Sequence, residues 1–258
     1  MRAIPKIDYA DRNPGVNFLN IYLPDEGDSF PVFLYFHGAG LIHTNSSIGR
    51  FDFTKYLTSH GIAVVCASYH NYPISKNERN VKFPMFLEDA ADAVNWVKTH
   101  ISEYCKMESL FVGGSSNGAY LSAMLCFDKK WLGKYDITPL DIDGFIHDAP
   151  QLTTHFSVLR EKGFSNKRVI IDEAAPLFYV GTEESYPPML FINAEKDGYT
   201  RLSQTKLACT VLKNLGHGEK VHSVVLSGTH CCYVNAPDRD GENEFGKLIL
   251  DFITSTKK

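Results

Sequence analysis

Residues 114–118 read Gly-Ser-Ser-Asn-Gly, and this stretch decides the fold. It follows a short apolar run at 110–112 and precedes a longer apolar segment at 119–127, so the pattern predicts a strand, a sharp turn and a helix. Such a turn strains the backbone at its tip, Ser116, and leaves little room for side chains two residues before or after it. Glycines stand at both of those positions. The spacing Gly-x-Ser-x-Gly on a strand–turn–helix unit predicts an exposed, nucleophilic serine at the tip.

Short apolar runs alternate with helical patterns over the rest of the chain. The clearest helix is predicted at 83–104, where apolar side chains recur at spacings of three and four, while Asp89 and Asp92 fall on the opposite, polar side. Runs at 32–36 and 62–68 are continuously apolar, as expected for strands covered on both faces. Further strands are predicted at 16–23, 110–113, 143–147, 189–193 and 221–226, and further helices at 51–60, 119–127, 202–215 and 244–253.

This order of elements predicts the fold class α/β, with a mostly parallel central sheet and helices on both faces. A chain of 258 residues is long enough for one such domain with a sizeable core, so we expect a single domain over 1–258. The irregular stretch 150–186 is too short for a domain of its own and is expected to form a lid-like insertion, with helices near 156–162 and 176–180. Active sites on such sheets lie at the carboxyl ends of the strands, where the serine turn also lies.

The composition argues against nucleic-acid binding and against a membrane span. The net charge of -4 argues against a nucleic-acid partner, because proteins that bind nucleic acids are usually basic. No run of about 18 apolar residues occurs, which predicts no membrane span. The polar start of the chain lacks the apolar core of a signal peptide, which favours a cytoplasmic location. The sequence leaves the oligomeric state open.

Six cysteines occur without a Cys-x-x-Cys pair, so no zinc or other metal site is predicted. Cys66, Cys126 and Cys209 fall within apolar patterns that are typical of buried free thiols. The adjacent pair Cys231-Cys232 is interpreted as packing residues.

A nucleophilic serine needs a base to take its proton, an acid to orient that base, and donors for the developing oxyanion. Three histidines follow the strand predicted at 189–193. His230 lies in the loop after the last strand, from which an imidazole can reach over the sheet edge towards Ser116. His222 lies inside that strand and His217 lies in a Gly-His-Gly turn, so His230 is the predicted base.

The predicted acid is Asp197, in the loop after the next-to-last strand. A carboxylate in that loop can reach His230 in the neighbouring loop. Glu195 is the nearest alternative. Asp148 and Asp172 are weaker candidates, because they precede the insertion or lie in it.

The segment 37–40 reads His-Gly-Ala-Gly and directly follows an apolar strand. Small residues there let backbone N–H groups point into a cleft. The predicted oxyanion donors are the N–H groups of Gly38 and Ala39, together with that of Asn117, the residue after the nucleophile. His37 is expected to hold this loop rather than to act as a base.

These motifs lie in one order at the ends of four strands, and the chain resembles α/β-hydrolases of the esterase/lipase type, which include hormone-sensitive lipase, carboxylesterases and bacterial acetyl esterases. The resemblance extends roughly over residues 15–255. Residues 68–73 (Ser-Tyr-His-Asn-Tyr-Pro) are similar to the family's Asp-Tyr-Arg-x-x-Pro stretch, with Ser and His in place of its Asp and Arg. Residues 172–176 (Asp-Glu-Ala-Ala-Pro) are similar to its Asp-Glu-Ala-Ser-Pro segment. Ala39 replaces a family glycine but keeps the N–H donor.

The resemblance implies a serine carboxylic-ester hydrolase that forms an acyl-enzyme on Ser116. Its partner would be a small-molecule ester with a short acyl group, acetyl above all, and carbohydrates are candidate alcohols. No metal or organic cofactor is expected.

Three alternatives remain open at this point. An arylformamidase or amidase of the same fold usually has an aromatic residue where this chain has Gly40-Leu41. A peptidase of the prolyl-oligopeptidase type would carry a propeller domain. The alternative of another class is a non-catalytic ligand receptor on a hydrolase fold, and such receptors typically lose one of the three residues that are all present here.

Overall fold

The fold consists of eight strands and eight α-helices within the residues that a computed structural model describes, which are 1–10, 15–38, 52–72, 81–198 and 200–256. The strands are β1 (Arg2–Asp8), β2 (Phe18–Leu23), β3 (Ser29–Phe36), β4 (Ala63–Ala67), β5 (Lys106–Ser115), β6 (Gly144–Asp148), β7 (Met189–Lys196) and β8 (Val221–Thr229). The helices are α1 (Asp52–Ser59), α2 (Met85–His100), α3 (Asn117–Phe127), α4 (Lys130–Gly133), α5 (Phe156–Glu161), α6 (Pro176–Tyr179), α7 (Arg201–Asn214) and α8 (Glu244–Thr256).

The strands form one sheet in the order β1-β2-β4-β3-β5-β6-β7-β8. Strand β2 pairs antiparallel with both β1 and β4, and every other neighbouring pair in this order is parallel. The predicted α/β class with a mostly parallel sheet is therefore confirmed. Strand β1 is not predicted from the sequence patterns, because its residues are mostly exposed at the edge of the sheet and show no apolar periodicity.

Alternate side chains of the central strands enter two separate cores, one on each face of the sheet. In β3, Val32, Leu34 and Phe36 belong to the core covered by α2, α3 and α7. Phe33 and Tyr35 belong to the opposite core, which α1 and α8 cover, since successive side chains of a strand point to opposite faces. Burial of each large apolar side chain contributes about 1.5–3 kcal/mol relative to exposure. The two cores thereby hold in place the strand ends on which the site is built.

Helix α2 carries the predicted apolar stripe but also buries two acids that the pattern places on its polar side. Asp89 is 1% exposed and accepts hydrogen bonds from the backbone N–H and Nδ1 of His70, at 2.7 and 2.6 Å. Asp92 is 8% exposed, accepts a hydrogen bond from the Tyr135 hydroxyl and lies 3.6 Å from Lys134 Nζ. Both acids are therefore buried although the pattern places them on the polar side, because partners from other segments compensate the burial of the carboxylates.

The insertion between β6 and β7 contains α5 and α6 at the positions predicted. Gln204 of α7 accepts a hydrogen bond from the backbone N–H of Leu152 at 2.7 Å. Glu161, the last residue of α5, accepts hydrogen bonds from the Tyr72 hydroxyl at 2.5 Å and the Phe83 N–H at 2.9 Å. The insertion is thus joined to α7 at one point and to the segments before α2 at another. Its role as a lid stays a prediction, as does the single domain over 1–258.

Candidate active site

The predicted strand, turn and helix meet at Ser116, which lies between the last residue of β5 and the first residue of α3. Its backbone has φ 58° and ψ -112°, a conformation that costs a non-glycine residue about 1–3 kcal/mol. The Ser116 N–H donates to the Asp148 carbonyl at 2.8 Å, and the Tyr120 N–H donates to the Ser116 carbonyl at 3.0 Å. Strand β6 and the first turn of α3 therefore impose the strained geometry on the serine.

The two glycines of the turn are required by space. A Cβ atom on Gly118 would lie 1.9 Å from the carbonyl oxygen of Phe36, at the end of β3. A Cβ atom on Gly114 would lie 2.5 Å from that same oxygen and 2.5 Å from the carbonyl carbon of Gly118. All three distances are far inside van der Waals contact, so α3 can approach the ends of β3 and β5 only where these side chains are missing. The expected crowding around the serine turn is thus present.

The structure brings Ser116, His230 and Asp197 together. Asp197 directly follows β7 and His230 directly follows β8, and the parallel pairing of these strands sets Lys196 opposite Thr229. With the imidazole proton on Nδ1, His230 donates to Asp197 Oδ1 at 2.9 Å and accepts from the Ser116 hydroxyl through Nε2 at 2.8 Å. The Asp197 side chain is 0% exposed, whereas that of His230 is 37% exposed. This arrangement can carry a proton from the hydroxyl to the imidazole while the carboxylate orients the ring.

A buried arginine lies beside the acid. Arg201, the first residue of α7, is 3% exposed, and its Nε lies 3.7 Å from Asp197 Oδ1. Its Nη1 donates to the Ala149 carbonyl at 2.6 Å, which joins α7 to the end of β6. A carboxylate removed from water needs a compensating positive charge, and the guanidinium supplies it here. The sequence patterns do not single out this residue.

The alternative candidates for base and acid have other contacts. The Glu195 side chain is exposed at the end of β7. Asp172 pairs with Lys162 Nζ at 2.8 Å within the insertion. His222 is exposed on the edge strand β8, and His217 packs edge-on against a tyrosine ring.

Asp148, the weaker candidate acid, lies next to the site in a different role. It is fully buried at the end of β6, and its Oδ1 accepts a hydrogen bond from the Tyr233 hydroxyl at 2.5 Å. Burial raises its pKa to about 6, although hydrogen bonds from Ser115, Tyr233 and Cys231 and the nearby imidazole act in the opposite direction. Cys231 has φ 53°, and its Sγ lies 3.7 Å from His230 Nε2. The loop that carries His230 is thus anchored to Asp148 through two of the three residues that follow the histidine.

The predicted oxyanion donors lie beside the serine where the structure describes them. A Cβ atom on Gly38 would lie 3.5 Å from the Cβ of Ser116, so this residue faces the turn directly. Asn117 is the first residue of α3, at the positive end of the helix dipole. Ala39 lies outside the described residues. Burial lowers the pKa of His37, which favours the neutral ring, and its Nδ1 donates to the Gly38 carbonyl at 2.6 Å. This contact fits the expectation that His37 holds the loop.

Other expected features of the chain have mixed outcomes. All six cysteines are free; Cys66, Cys126 and Cys209 are buried as expected, but Cys232 is exposed and therefore is not a packing residue. Over the described ranges, no group of three or more His, Cys, Asp or Glu side chains is placed to hold a metal ion. Within the same part of the chain, no helix has the length and apolar character required to cross a membrane.

The relatives found among curated proteins align with only part of this chain. The model of the BD-FAE family matches residues 19–132. The 3-O-acetylpapaveroxine carboxylesterase CXE1 of Papaver somniferum is 28% identical over 162 residues, which are 57% of this chain and 46% of that protein. The gibberellin receptor GID1A of Arabidopsis thaliana is 28% identical over 120 residues, which are 44% of this chain and 33% of that protein. The chain spans about half the length, or less, of the curated relatives it matches.

Solved structures cover nearly the whole chain. Esterase 2 of Thermogutta terrifontis, phosphoramylated by tabun, superposes with a TM-score of 0.77 at 18% identity, over 98% of this chain and 94% of that one. A truncated form of a carbohydrate esterase from gut microbiota superposes with a TM-score of 0.75 at 16% identity, over 99% of this chain and 96% of that one. At this level of identity the likeness shows the α/β-hydrolase fold. The motifs, the BD-FAE family model and the curated carboxylesterase relatives agree with this fold in making the chain similar to α/β hydrolases of the esterase/lipase type.

Proposed function

We propose that the protein hydrolyses carboxylic esters through an acyl-enzyme on Ser116. The observation that carries the proposal is the unbroken chain of hydrogen bonds from the Ser116 hydroxyl through His230 to Asp197. As the serine oxygen attacks the ester carbonyl carbon, Nε2 of His230 takes the hydroxyl proton. The imidazolium keeps its hydrogen bond to Asp197, whose negative charge stabilises it.

Attack places a negative charge on the former carbonyl oxygen. The backbone N–H groups of Gly38, Ala39 and Asn117 are the proposed donors to this oxyanion. His230 then gives its proton to the departing alcohol, which leaves the acyl group on Ser116. A water molecule that loses its proton to the same imidazole attacks the acyl-enzyme and releases the acid. Ester and water thus yield acid and alcohol, and the serine is restored.

We propose short acyl groups as substrates, acetyl esters first, with carbohydrates as candidate alcohols. Three proteins similar to this chain support this choice. One is a carboxylesterase of 3-O-acetylpapaveroxine, one is a carbohydrate esterase, and the Thermogutta esterase has propionate-bound and butyrate-bound structures. Acetylated sugars are therefore the first substrates to assay after the model esters.

The test compares hydrolysis of p-nitrophenyl acetate, butyrate and octanoate by the wild type, Ser116→Ala and Ser122→Ala. Ser122 is a matched control, because it is a fully buried serine of α3, the helix that Ser116 precedes, and its hydroxyl donates to the Ala119 carbonyl at 3.1 Å. We expect Ser116→Ala to remove the activity and Ser122→Ala to retain it per folded molecule. A rate that falls with acyl length supports the short-acyl class. Equal rates for wild type and Ser116→Ala would exclude the acyl-enzyme.

A ligand receptor is the second candidate, and the similarity to GID1A is the observation that favours it. The contact between Ser116 and His230 favours turnover instead, because a receptor has no need of an activated hydroxyl. If the wild type hydrolyses neither the three esters nor an N-formyl amide, the receptor becomes the better hypothesis. Ligand binding would then be measured by thermal-shift screening of small carboxylic acids and esters.

A further inference from the structure

One tyrosine hydroxyl joins the two segments that would form the oxyanion site. Tyr69 follows β4 and is 0% exposed. Its hydroxyl donates to the carbonyl oxygen of His37 at 2.6 Å, in the segment after β3. The same oxygen accepts a hydrogen bond from Asn117 Nδ2 at 2.5 Å, in the serine turn. These two partners are 80 residues apart in sequence; His37 precedes the proposed oxyanion donor Gly38, and Asn117 is itself a proposed donor.

The contact with His37 determines where the Gly38 N–H points. The carbonyl of His37 and the N–H of Gly38 belong to one planar peptide group, in which the two bonds point in opposite directions when the peptide is trans. A hydrogen bond that holds this carbonyl therefore also holds the direction of the N–H. It further polarises the peptide, which makes the N–H a stronger donor. Without this contact the peptide is freer to rotate, and the direction of its donor is no longer held.

The contact with Asn117 acts on the second segment. Asn117 is the first residue of α3, and its backbone N–H is another proposed donor. Because its side chain is bound by the oxygen that also donates to the His37 carbonyl, the hydroxyl of Tyr69 ties the two segments together. The hydroxyl of Tyr69 thus affects both the direction of the Gly38 N–H and the distance between Gly38 and Asn117.

The surroundings of Tyr69 keep the hydroxyl in place and protonated. Its ring stacks on that of His37, with centroids 4.8 Å apart and an angle of 21° between planes. Asn71 Nδ2 donates to the backbone carbonyl of Tyr69 at 2.9 Å, and Asp89 accepts from the backbone N–H of His70 at 2.7 Å. Burial raises the pKa of Tyr69, so its hydroxyl remains a donor over the pH range in which an esterase works.

We propose that Tyr69 is a positioning residue for the oxyanion site: its hydroxyl sets the direction of the Gly38 N–H and the distance between Gly38 and Asn117. This inference rests on the proposed ester hydrolysis. The residue does not contact the reacting atoms, and its effect appears in the stabilisation of the transition state rather than in the binding of the substrate.

The test uses Tyr69→Phe and a matched control, Tyr9→Phe. Tyr9 is also buried, and its hydroxyl also donates to a backbone carbonyl, that of Ser68 at 2.5 Å, and accepts from an asparagine, Asn17 Nδ2 at 3.1 Å. Each substitution therefore removes one hydrogen bond to a backbone carbonyl and one from an asparagine amide. The bonds of Tyr69 reach His37 and Asn117 directly, whereas those of Tyr9 reach Asn17 and the carbonyl of Ser68, the residue before Tyr69. Circular dichroism and thermal unfolding report the folded fraction of each.

Three quantities are measured on folded protein: kcat, KM for p-nitrophenyl acetate, and Ki for an alkyl trifluoromethyl ketone. Ser116 adds to this ketone, and the oxygen of the resulting hemiketal occupies the oxyanion position. For Tyr69→Phe we expect kcat to fall about 10- to 100-fold, since loss of one donor costs 100- to 1,000-fold and this donor is only misdirected. Ki should rise in parallel, and KM should change by no more than about twofold. For Tyr9→Phe, kcat should stay within about twofold of wild type.

A kcat for Tyr69→Phe within about twofold of wild type would overturn the proposal, as would equal losses in both variants. If Tyr69→Phe does not fold, Asn117→Ala replaces it, since this variant keeps the tyrosine and the backbone donor but loses the side-chain link. Asn117→Ala should reduce kcat and raise Ki for the trifluoromethyl ketone, as Tyr69→Phe would. An unchanged kcat would again refute the inference. Absence of Ser116-dependent hydrolysis in the wild type would instead refute the proposed function, so the two failures are distinguishable.

Discussion

Replacing the strained serine by glycine should stabilise the protein relative to replacing it by alanine. Ser116 has φ 58° and ψ -112°, which lies in the mirror image of the β region, where glycine is the one residue without a steric penalty. Ser116→Ala keeps the Cβ atom and the strain. Ser116→Gly removes both. Both variants lose the same hydroxyl and its hydrogen bond to His230, so that loss cancels in their comparison.

The expected difference follows from two opposing terms. Relief of the strained conformation contributes about 1–3 kcal/mol. The greater freedom of glycine in the unfolded chain costs about 0.5–1 kcal/mol. Ser116→Gly should therefore be more stable than Ser116→Ala by about 1 kcal/mol, which corresponds to a rise in Tm of roughly 2–4 °C for a chain of this size.

Equilibrium unfolding in urea, followed by circular dichroism, measures the free energy of unfolding of both variants. Ala123→Gly in the wild-type background is the control, because Ala123 is a buried residue in the interior of α3 with ordinary helical geometry. There the substitution should destabilise by about 1 kcal/mol or more. If Ser116→Gly is less stable than Ser116→Ala by a similar amount, the turn stores no strain and the reasoning is wrong.

Three further predictions concern the neighbouring residues. Asp197→Asn should lower kcat about 1,000- to 10,000-fold with little change in fold, because the amide no longer holds the imidazole of His230 in the required tautomer; a loss under tenfold in steady-state assays would contradict the assigned acid. Gly118→Ala should cost several kcal/mol or prevent folding, given the 1.9 Å approach to a carbonyl oxygen, whereas Gly133→Ala, with no atom within 4 Å, should be neutral in the same urea experiment. Asp148 has a folded-state pKa of about 6, above its usual value of 3.8, so its contribution to stability is complete below about pH 4 and is lost as pH rises through 6. The free energy of unfolding of Asp148→Asn should thus gain on that of the wild type by up to about 3 kcal/mol between pH 4 and 7, and a constant difference would contradict the raised pKa.

The sequence predicts the elements that depend on local pattern. Continuous apolar runs identify β3 and β4, and the stripe on 83–104 identifies α2, because both signals arise from the burial of neighbouring positions in one element. These patterns do not predict strand β1, since an edge strand is held by backbone pairing and needs no apolar face. The patterns miss the burial of Asp89 and Asp92 for the opposite reason: charged side chains are buried where distant partners compensate them, and a local pattern contains no information about such partners.

The site likewise contains residues that the sequence predicts and residues that it does not. The serine turn can be predicted from the sequence because its glycines are a local steric requirement. His230 and Asp197 can be predicted because they follow predicted strands. Arg201 and Tyr69 carry no such signal. Each acts through one contact with a residue of another segment, Arg201 with Asp197 and Tyr69 with His37, and such contacts depend on the paths of the loops.

The sequence by itself determined the order of the strands from β2 onwards and of the longer helices, the strained turn at Ser116 and the identity of the candidate base and acid, because backbone sterics and side-chain periodicity act over a few residues. Only the tertiary structure decided that the hydroxyl of Ser116 lies 2.8 Å from an imidazole 114 residues away and that this imidazole lies 2.9 Å from a carboxylate 33 residues before it. Those distances follow from the register of β7 against β8 and from the packing of α3 on β3, which are properties of the assembled sheet. Hydrogen bonds between residues so far apart in sequence form only when the two cores have already placed the strand ends side by side.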